Sequence, residues 1–460
     1  MGNTDKIIVG LDIGTTKICA IVGQLSENGK INVLGMGKAP SAGGVSRGMV
    51  ANITKAETAI RKAIDEARRQ SQVDIKNVFV GIAGHHIKSL QHRGTLSRKN
   101  SEEEITSGEL AKLEDEMRNI AMPPGQEIIH IVPQEYRIDD EEGVKDAAGR
   151  LGVRVECNYH IVTGQSLAAR HIYKAVRRAE LEVVDLVVEP FASAAAVLSP
   201  EEMEAGVVLV DIGGGTTDLC IFEGGIVRHT AIIDIGGDRV TKDMQEAFGI
   251  LNEQAEYVKI NHGSCYPIES QKNEVVVVPG LPNRTPKEIS LFGISQVIQA
   301  RMEDIIERIQ YELSLSGYDG KLPGGLIVTG GGSSLKNITQ LFSFRLGMDV
   351  NLGVPNQHLG KGLTDEVKSP IFATGIGLVL KGFEITEASA DPLNHAIYTE
   401  TESTSAQPEA KVEMEEVEMS EETENGGFTN GFKKIFGGNW GLTKGIRDWM
   451  EDGEDDFEND

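Results

Sequence analysis

The chain has 460 residues, 40% hydrophobic and 25% charged, with four cysteines and a formal net charge of −25. Such a length calls for two or more domains with ample core, and the acidity argues against a nucleic-acid partner. Cysteines without C-x-x-C spacing suggest neither a zinc site nor a disulfide framework; with no signal peptide and no apolar run of membrane-spanning length, a reduced cytosol fits. Twenty acidic and five basic residues fall from Glu387 onward, a net of −15, so the acidity is largely a property of the tail.

The chain begins with alternating strand and helix patterns. Ile7 to Leu11 is an apolar run that ends in Asp12-Ile13-Gly14-Thr15-Thr16-Lys17, and Ile18 to Val22 follows, which reads as strand, tight turn, strand. A strand at Val33-Leu34-Gly35, a helix from about Thr54 to Gln70 and a strand at Val78 to Ile82 continue an α/β pattern. Residues 85–162 read as an insertion, with a helix near Ser107 to Ile120 and strands around Ile128 to Ile138 and Val153 to Ile161. A helix Ser166 to Ala179 and a strand Val183 to Val188 resume the first pattern. A second acidic-glycine turn, Asp211-Ile212-Gly213-Gly214-Gly215-Thr216-Thr217-Asp218, lies between the apolar runs Val207 to Val210 and Leu219 to Phe222. Later come a long helical stretch from Ser295 to Leu315 and a buried strand Leu326 to Thr329. Gly330, Gly331, Gly332 and Ser333 then lead to an expected helix start at Leu335 to Ile338, and a small-residue helix spans Ile371 to Leu378.

The two matched turns suit a phosphate, because glycine allows close backbone approach and successive N–H groups form an anion-binding concavity. Asp12 and Asp211, at the strand ends, bring hard oxygen ligands for a Mg²⁺ held partly through water. Thr15, Thr16, Thr216 and Thr217 offer hydroxyls, or fill β positions. Lys17 either neutralises a phosphate or is a solvated charge. The third glycine run adds N–H groups where a helix dipole would favour an anion. No G-x-x-x-x-G-K-[ST] is present, and no G-x-G-x-x-G lies between a strand and a helix, which excludes a P-loop or dinucleotide reading.

In their order and chemistry these three motifs resemble the actin-like ATPase superfamily. Within it the chain resembles the bacterial FtsA family over roughly Lys6 to Phe383, most specifically in Ile131-Val132-Pro133-Gln134-Glu135-Tyr136-Arg137-Ile138-Asp139, Glu142 to Lys145, Gly152-Val153-Arg154 and Ser101 to Thr106. The resemblance implies an actin-like (ribonuclease H-like) two-lobed α/β ATPase fold that binds ATP and Mg²⁺. The first lobe would hold 5–84, 163–203 and 371–386, with 85–162 as the inserted subdomain. The second would hold 204–245 and 318–370, with 246–317 as its small subdomain. It further implies that Glu189 orients an attacking water, that Asp211 serves catalysis, and that Glu256 and Lys259 touch ribose and adenine. A helix-terminal glutamate and an i,i+3 ion pair are the alternatives for those positions. Hydrolysis would be slow or vestigial.

Residues 387–427 are acidic, with few aromatics, and read as a disordered linker. Phe428, Phe432, Ile435 and Phe436, then Leu442, Ile446, Trp449 and Met450, repeat at helical spacing with cations between them, and Trp440 lies between the two stretches. This is the pattern of an amphipathic segment (428–450) in a lipid interface, although seven acidic residues in 451–460 weaken attraction to anionic headgroups. By resemblance the chain would tether the C-terminal peptide of FtsZ at the inner face of the cell membrane. Arg284 and Lys287 would contribute to the FtsZ contact, and the chain would self-assemble head to tail and recruit later division proteins. The rival reading is a soluble actin-fold ATPase: a chaperone-like ATPase, a sugar kinase or a pilus-assembly ATPase.

Overall fold

The computed structural model describes residues 6–280 and 285–390. Two sheets of related topology carry its architecture. In the first, strands Ile7–Ile13, Lys17–Leu25 and Ile31–Pro40 form an antiparallel meander. Asn77–Ile82 and then Glu182–Val188 add in parallel on the Ile7–Ile13 side, and Leu359–Gly362 adds at the other edge. In the second, Val207–Ile212, Thr217–Glu223 and Ile226–Ile233 repeat the meander, and Leu326–Thr329 and Val350–Leu352 extend it in parallel. Their central strands read as nearly unbroken apolar runs because helices cover both faces.

On one face of the first sheet lies the helix Ile53–Ser71, packed against Ser166–Arg178. Gly37 permits this approach: a Cβ there would stand 1.8 Å from the Ala63 carbonyl oxygen. The helices Glu189–Val197 and Ala373–Ala390 cover the opposite face and cross each other closely. The second of these continues through residues 387–390, which sequence assigned to the acidic linker, because the apolar face that holds it to the sheet reaches Ile385.

The insertion is a separate antiparallel sheet in the order Lys88–Ser97, Arg154–Gln165, Gln126–Ile138, Glu141–Val144. A helix, Ser107–Arg118, opens on a reciprocal capping box between Thr106 and Glu109 and buries Leu113 and Met117 against it. In the second half, the helix Leu291–Ser316 forms the spine of the core that includes Ile294, Ile298, Ile305 and Ile309. A hairpin of Val275–Val278 and Lys287–Ser290 precedes it.

Candidate nucleotide cleft

Both acidic-glycine turns fold as hairpins whose geometry follows from strand register. Asp12 lies opposite Cys19, and Asp211 lies opposite Asp218. Residues directly opposite in an antiparallel pair share a face, so Asp218 joins Asp211 on the cleft side. Gly213 N–H donates to the Thr216 carbonyl at 2.9 Å and closes the second turn. The turns meet across the interlobe cleft: a Cβ on Gly214 would stand 2.0 Å from Thr16 Oγ1, and one on Gly215 would stand 2.4 Å from Thr15 Oγ1. Only residues without side chains allow that approach.

A cavity of about 340 Å³ opens between them, within the range of small-molecule sites. Of the residues expected from sequence, Asp12, Gly14, Thr15, Thr16, Lys17, Glu189, Asp211, Gly213, Gly214, Gly215, Thr216, Glu256, Lys259, Gly330, Gly331 and Gly332 line it. Two expected residues do not. Thr217 lies opposite the core residue Ile212, is fully buried, and donates its hydroxyl to the Ile235 carbonyl at 2.7 Å. Ser333 turns inward and donates to the Gly330 carbonyl at 2.7 Å, which leaves Ser334 at the wall.

The third glycine run also differs from expectation. Gly331–Ser334 form a 3₁₀ turn, and the helix Ile338–Leu346 starts four residues later, after Asn337 in the left-handed region at φ 61°. What faces the cleft is therefore the backbone of a tight turn rather than a helix N-terminus. Gly330, at φ 84°, is forced to be glycine twice over, since a Cβ would stand 2.1 Å from Asp211 Oδ1.

Carboxylates dominate the electrostatics. Asp12, Asp211 and Asp218 are only 7%, 6% and 4% exposed. Burial raises the pKa of all three; for Asp12 and Asp218 the neighbouring carboxylates add to it, while hydroxyl bonds oppose it at Asp211. Glu189, at the start of its helix, is raised well above the usual range, first by burial and then by Asp12, Asp218 and Asp211. Lys17 opposes this: its Nζ donates to the Ile371 carbonyl at 3.0 Å and stands 3.8 Å from Asp12 Oδ2. Lys17 thus belongs to the cleft and is not a solvated charge on a hairpin. Asp218 Oδ1 is buried with no hydrogen-bond partner among the described residues.

Hard oxygen donors gathered beside an orphaned carboxylate oxygen fit a divalent cation. Among the described residues no group of three is placed to hold a bare ion, so Mg²⁺ would be held by Asp12, Asp211 and Asp218 largely through water and phosphate oxygens. Asp211 is held in a fixed orientation. Its Oδ2 accepts from Ser193 Oγ at 2.6 Å and from Thr374 Oγ1 at 3.2 Å.

At the far wall Glu256 and Lys259 form an ion pair of 2.7 Å on the helix Asn252–His262. Lys259 Nζ also donates to the Gly237 carbonyl at 2.9 Å and to Thr241 Oγ1 at 2.7 Å. The ion pair weighed from sequence is thus present, and it faces the cleft. Sequence reading missed Gly48, Asp218, Gly237, Asp238, Ile260, Leu335 and Thr374, all in the lining. The adjacent Gly236-Gly237 before the helix Gly237–Phe248 was the available signal for two of them. Of the expected FtsZ contacts, Arg284 lies outside the described residues. Lys287 opens a strand and donates its amine to the Phe248 carbonyl, so it caps a helix end.

Comparison with known proteins agrees with this fold. The family described as "Cell division protein FtsA" matches residues 208–377, and the "SHS2 domain inserted in FTSA" matches residues 84–163. FtsA of Pseudomonas aeruginosa is 40% identical over 379 residues, covering 82% of this chain and 90% of that one. This chain belongs to the FtsA family of cell division proteins. FtsA of Escherichia coli K12 is 32% identical over 386 residues, covering 82% of this chain and 91% of its own. A solved "PilM-PilN type IV pilus biogenesis complex" superposes with a TM-score of 0.61 at 18% identity, over 82% of this chain and 98% of that one, a likeness of fold alone. The fold is actin-like, with the SHS2 subdomain that FtsA proteins carry. The sugar-kinase and chaperone readings fall with that assignment. Residues 391–460, including the amphipathic pattern from Phe428 to Met450, lie outside the described residues.

Proposed function

We propose that this FtsA family member binds ATP with Mg²⁺ in the interlobe cleft and tethers FtsZ to the inner face of the cell membrane. In this reading it docks the C-terminal peptide of FtsZ on residues 246–317, self-assembles head to tail, and recruits later division proteins. The observation that carries it is the convergence of three glycine turns on three buried aspartates in one cavity. When bound, Mg²⁺ neutralises phosphate charge. This chain's residues do the rest. Gly213 to Gly215 and Gly330 to Gly332 present backbone to the phosphates, Lys17 supplies a cation, and Glu256 with Lys259 faces the nucleoside end.

The tethering half rests on the tail. Aromatic and apolar residues from Phe428 to Met450 recur at helical spacing among lysines and an arginine, which suits an interfacial helix. Among the described residues no helix is long and apolar enough to cross a membrane. Both tryptophans, Trp440 and Trp449, lie in that stretch, so the body adds no tryptophan signal. Titrating the protein with anionic vesicles, with and without Mg²⁺-ATP, should give a saturable blue shift in emission. A chain ending at residue 426 should still bind FtsZ peptide and bind the vesicles far more weakly. Vesicle binding by that truncated chain as strong as that of the whole chain would place the anchor elsewhere and overturn the tether.

A further inference from the structure

We propose that the outer face of the first lobe, built by the helices Ile53–Ser71 and Ser166–Arg178, is a second contact for an anionic phospholipid surface. This rests on the membrane-tether reading above and adds a site to it. Ser166–Arg178 carries Arg170, Lys174, Arg177 and Arg178 and no acidic residue. All four are exposed, and among the described residues none lies within ion-pair distance of a carboxylate. The neighbouring helix adds the exposed Lys62 and Arg69. Its own acids are already engaged: Glu57 pairs with Arg61, Asp65 with Arg68, and Glu66 accepts from Lys38 N–H at 2.9 Å.

Charge asymmetry is what singles this face out. The two helices together carry +6, although residues 1–390 carry −11 in all, which leaves −17 for the rest of that body. An uncompensated cationic face on an acidic body orients it towards negative potential. Leu167 and Tyr173, 58% and 40% exposed, stand among the cations of the shorter helix. A side chain with an apolar body beside lysine and arginine suits the headgroup layer. An acidic protein partner would need the cations but would have less use for those two side chains.

The test is vesicle sedimentation of the full chain on phosphatidylcholine alone and on phosphatidylcholine with phosphatidylglycerol. A cation near such a surface is worth up to roughly fivefold in partitioning. R170Q/K174Q/R177Q/R178Q should therefore bind the anionic vesicles at least about tenfold more weakly, with a flattened salt dependence, and bind neutral vesicles as before. R170K/R177K/R178K should bind like the unsubstituted chain, which separates charge from folding. A second variant, I446D/W449D, should lose binding to neutral vesicles and bind anionic ones far more weakly if the tail is the anchor. Binding of the glutamine variant equal to that of the unsubstituted chain overturns the second contact and leaves the tail anchor standing. Unchanged binding by I446D/W449D overturns the anchor instead. Loss of affinity by the glutamine variant for an acidic peptide but not for vesicles would also overturn the membrane assignment.

Discussion

Asp211 joins three elements: it ends a strand of the second lobe, and its Oδ2 accepts hydroxyls from Ser193 and Thr374 on two helices of the first. Those bonds fix the carboxylate's direction without removing its charge. An amide oxygen can accept the same hydroxyls, so Asp211→Asn should keep the fold and lose the charge. We expect Mg²⁺-ATP affinity by calorimetry to fall tenfold or more, since a charged hydrogen-bond partner is worth about 1.5–3 kcal/mol. An unchanged circular dichroism spectrum should accompany the loss, and unchanged affinity would remove Asp211 from the site. The same residues show what sequence could and could not reveal. Asp12 and Asp211 were legible because their two turns match each other; a single acidic-glycine turn could be an ordinary hairpin. Thr217 was misplaced because the motif alone does not say which hydroxyl faces the cleft. The hairpin register does, and it puts Asp218 beside Asp211 and Thr217 against Ile212.

Elements with strong periodicity were read to within a few residues, as with the helices now seen at Ile53–Ser71 and Leu291–Ser316. Short ones were read unevenly: the strand Leu326–Thr329 has the bounds expected of it, and others were missed. The hairpin beginning Val275–Val278 has four consecutive valines and no polar alternation to mark it, and at the 3₁₀ turn Gly331–Ser334 the sequence does not show that Gly332 lies where a Cβ would stand 2.3 Å from the Ile212 side chain. The small-residue pattern of the last helix was legible, and its reason is now visible. A Cβ on Gly377 would stand 1.7 Å from the Ala192 carbonyl oxygen, where two helices cross between lobes. Gly377→Ala should therefore cost about 3 kcal/mol, the upper end of ordinary overpacking, in urea unfolding. Gly108→Ala, in a helix with nothing within 4 Å of the added carbon, should instead be neutral or stabilising by up to about 1 kcal/mol. Equal effects at the two positions would refute the close-crossing account.

Across the whole body, the inserted subdomain is continuous with the first lobe yet hydrogen-bonded to the second. Gln134 donates to the Val227 carbonyl at 2.5 Å, Ser89 Oγ to the Thr230 carbonyl at 3.1 Å, and Arg228 pairs with Glu135. All three second-lobe partners lie on Ile226–Ile233, the edge strand of its sheet, so the insertion covers an edge that would otherwise be open. His160 sits at this junction, 1% exposed, with Nε2 2.9 Å from Thr230 Oγ1 and Nδ1 3.1 Å from Gln91 Nε2. Burial pushes its pKa down to about 4, with His229 adding to the shift. The unfolded chain therefore binds a proton at this residue below its ordinary value of 6.5 while the folded chain stays neutral down to about 4, so stability falls as pH drops through that window. From pH 7 to pH 5 this amounts to about 2 kcal/mol for a single histidine. Carboxylates raised by desolvation, such as the half-buried Asp185 at about 6, act in the opposite sense, so the comparison must be made within a pair of proteins. His160→Gln keeps a hydrogen-bonding group and removes the titration. The stability of the unsubstituted protein relative to His160→Gln, from urea midpoints, should drop by about 2 kcal/mol between those pH values. A difference independent of pH would mean that the junction admits a charged imidazole and that acid does not weaken the bridge between the lobes.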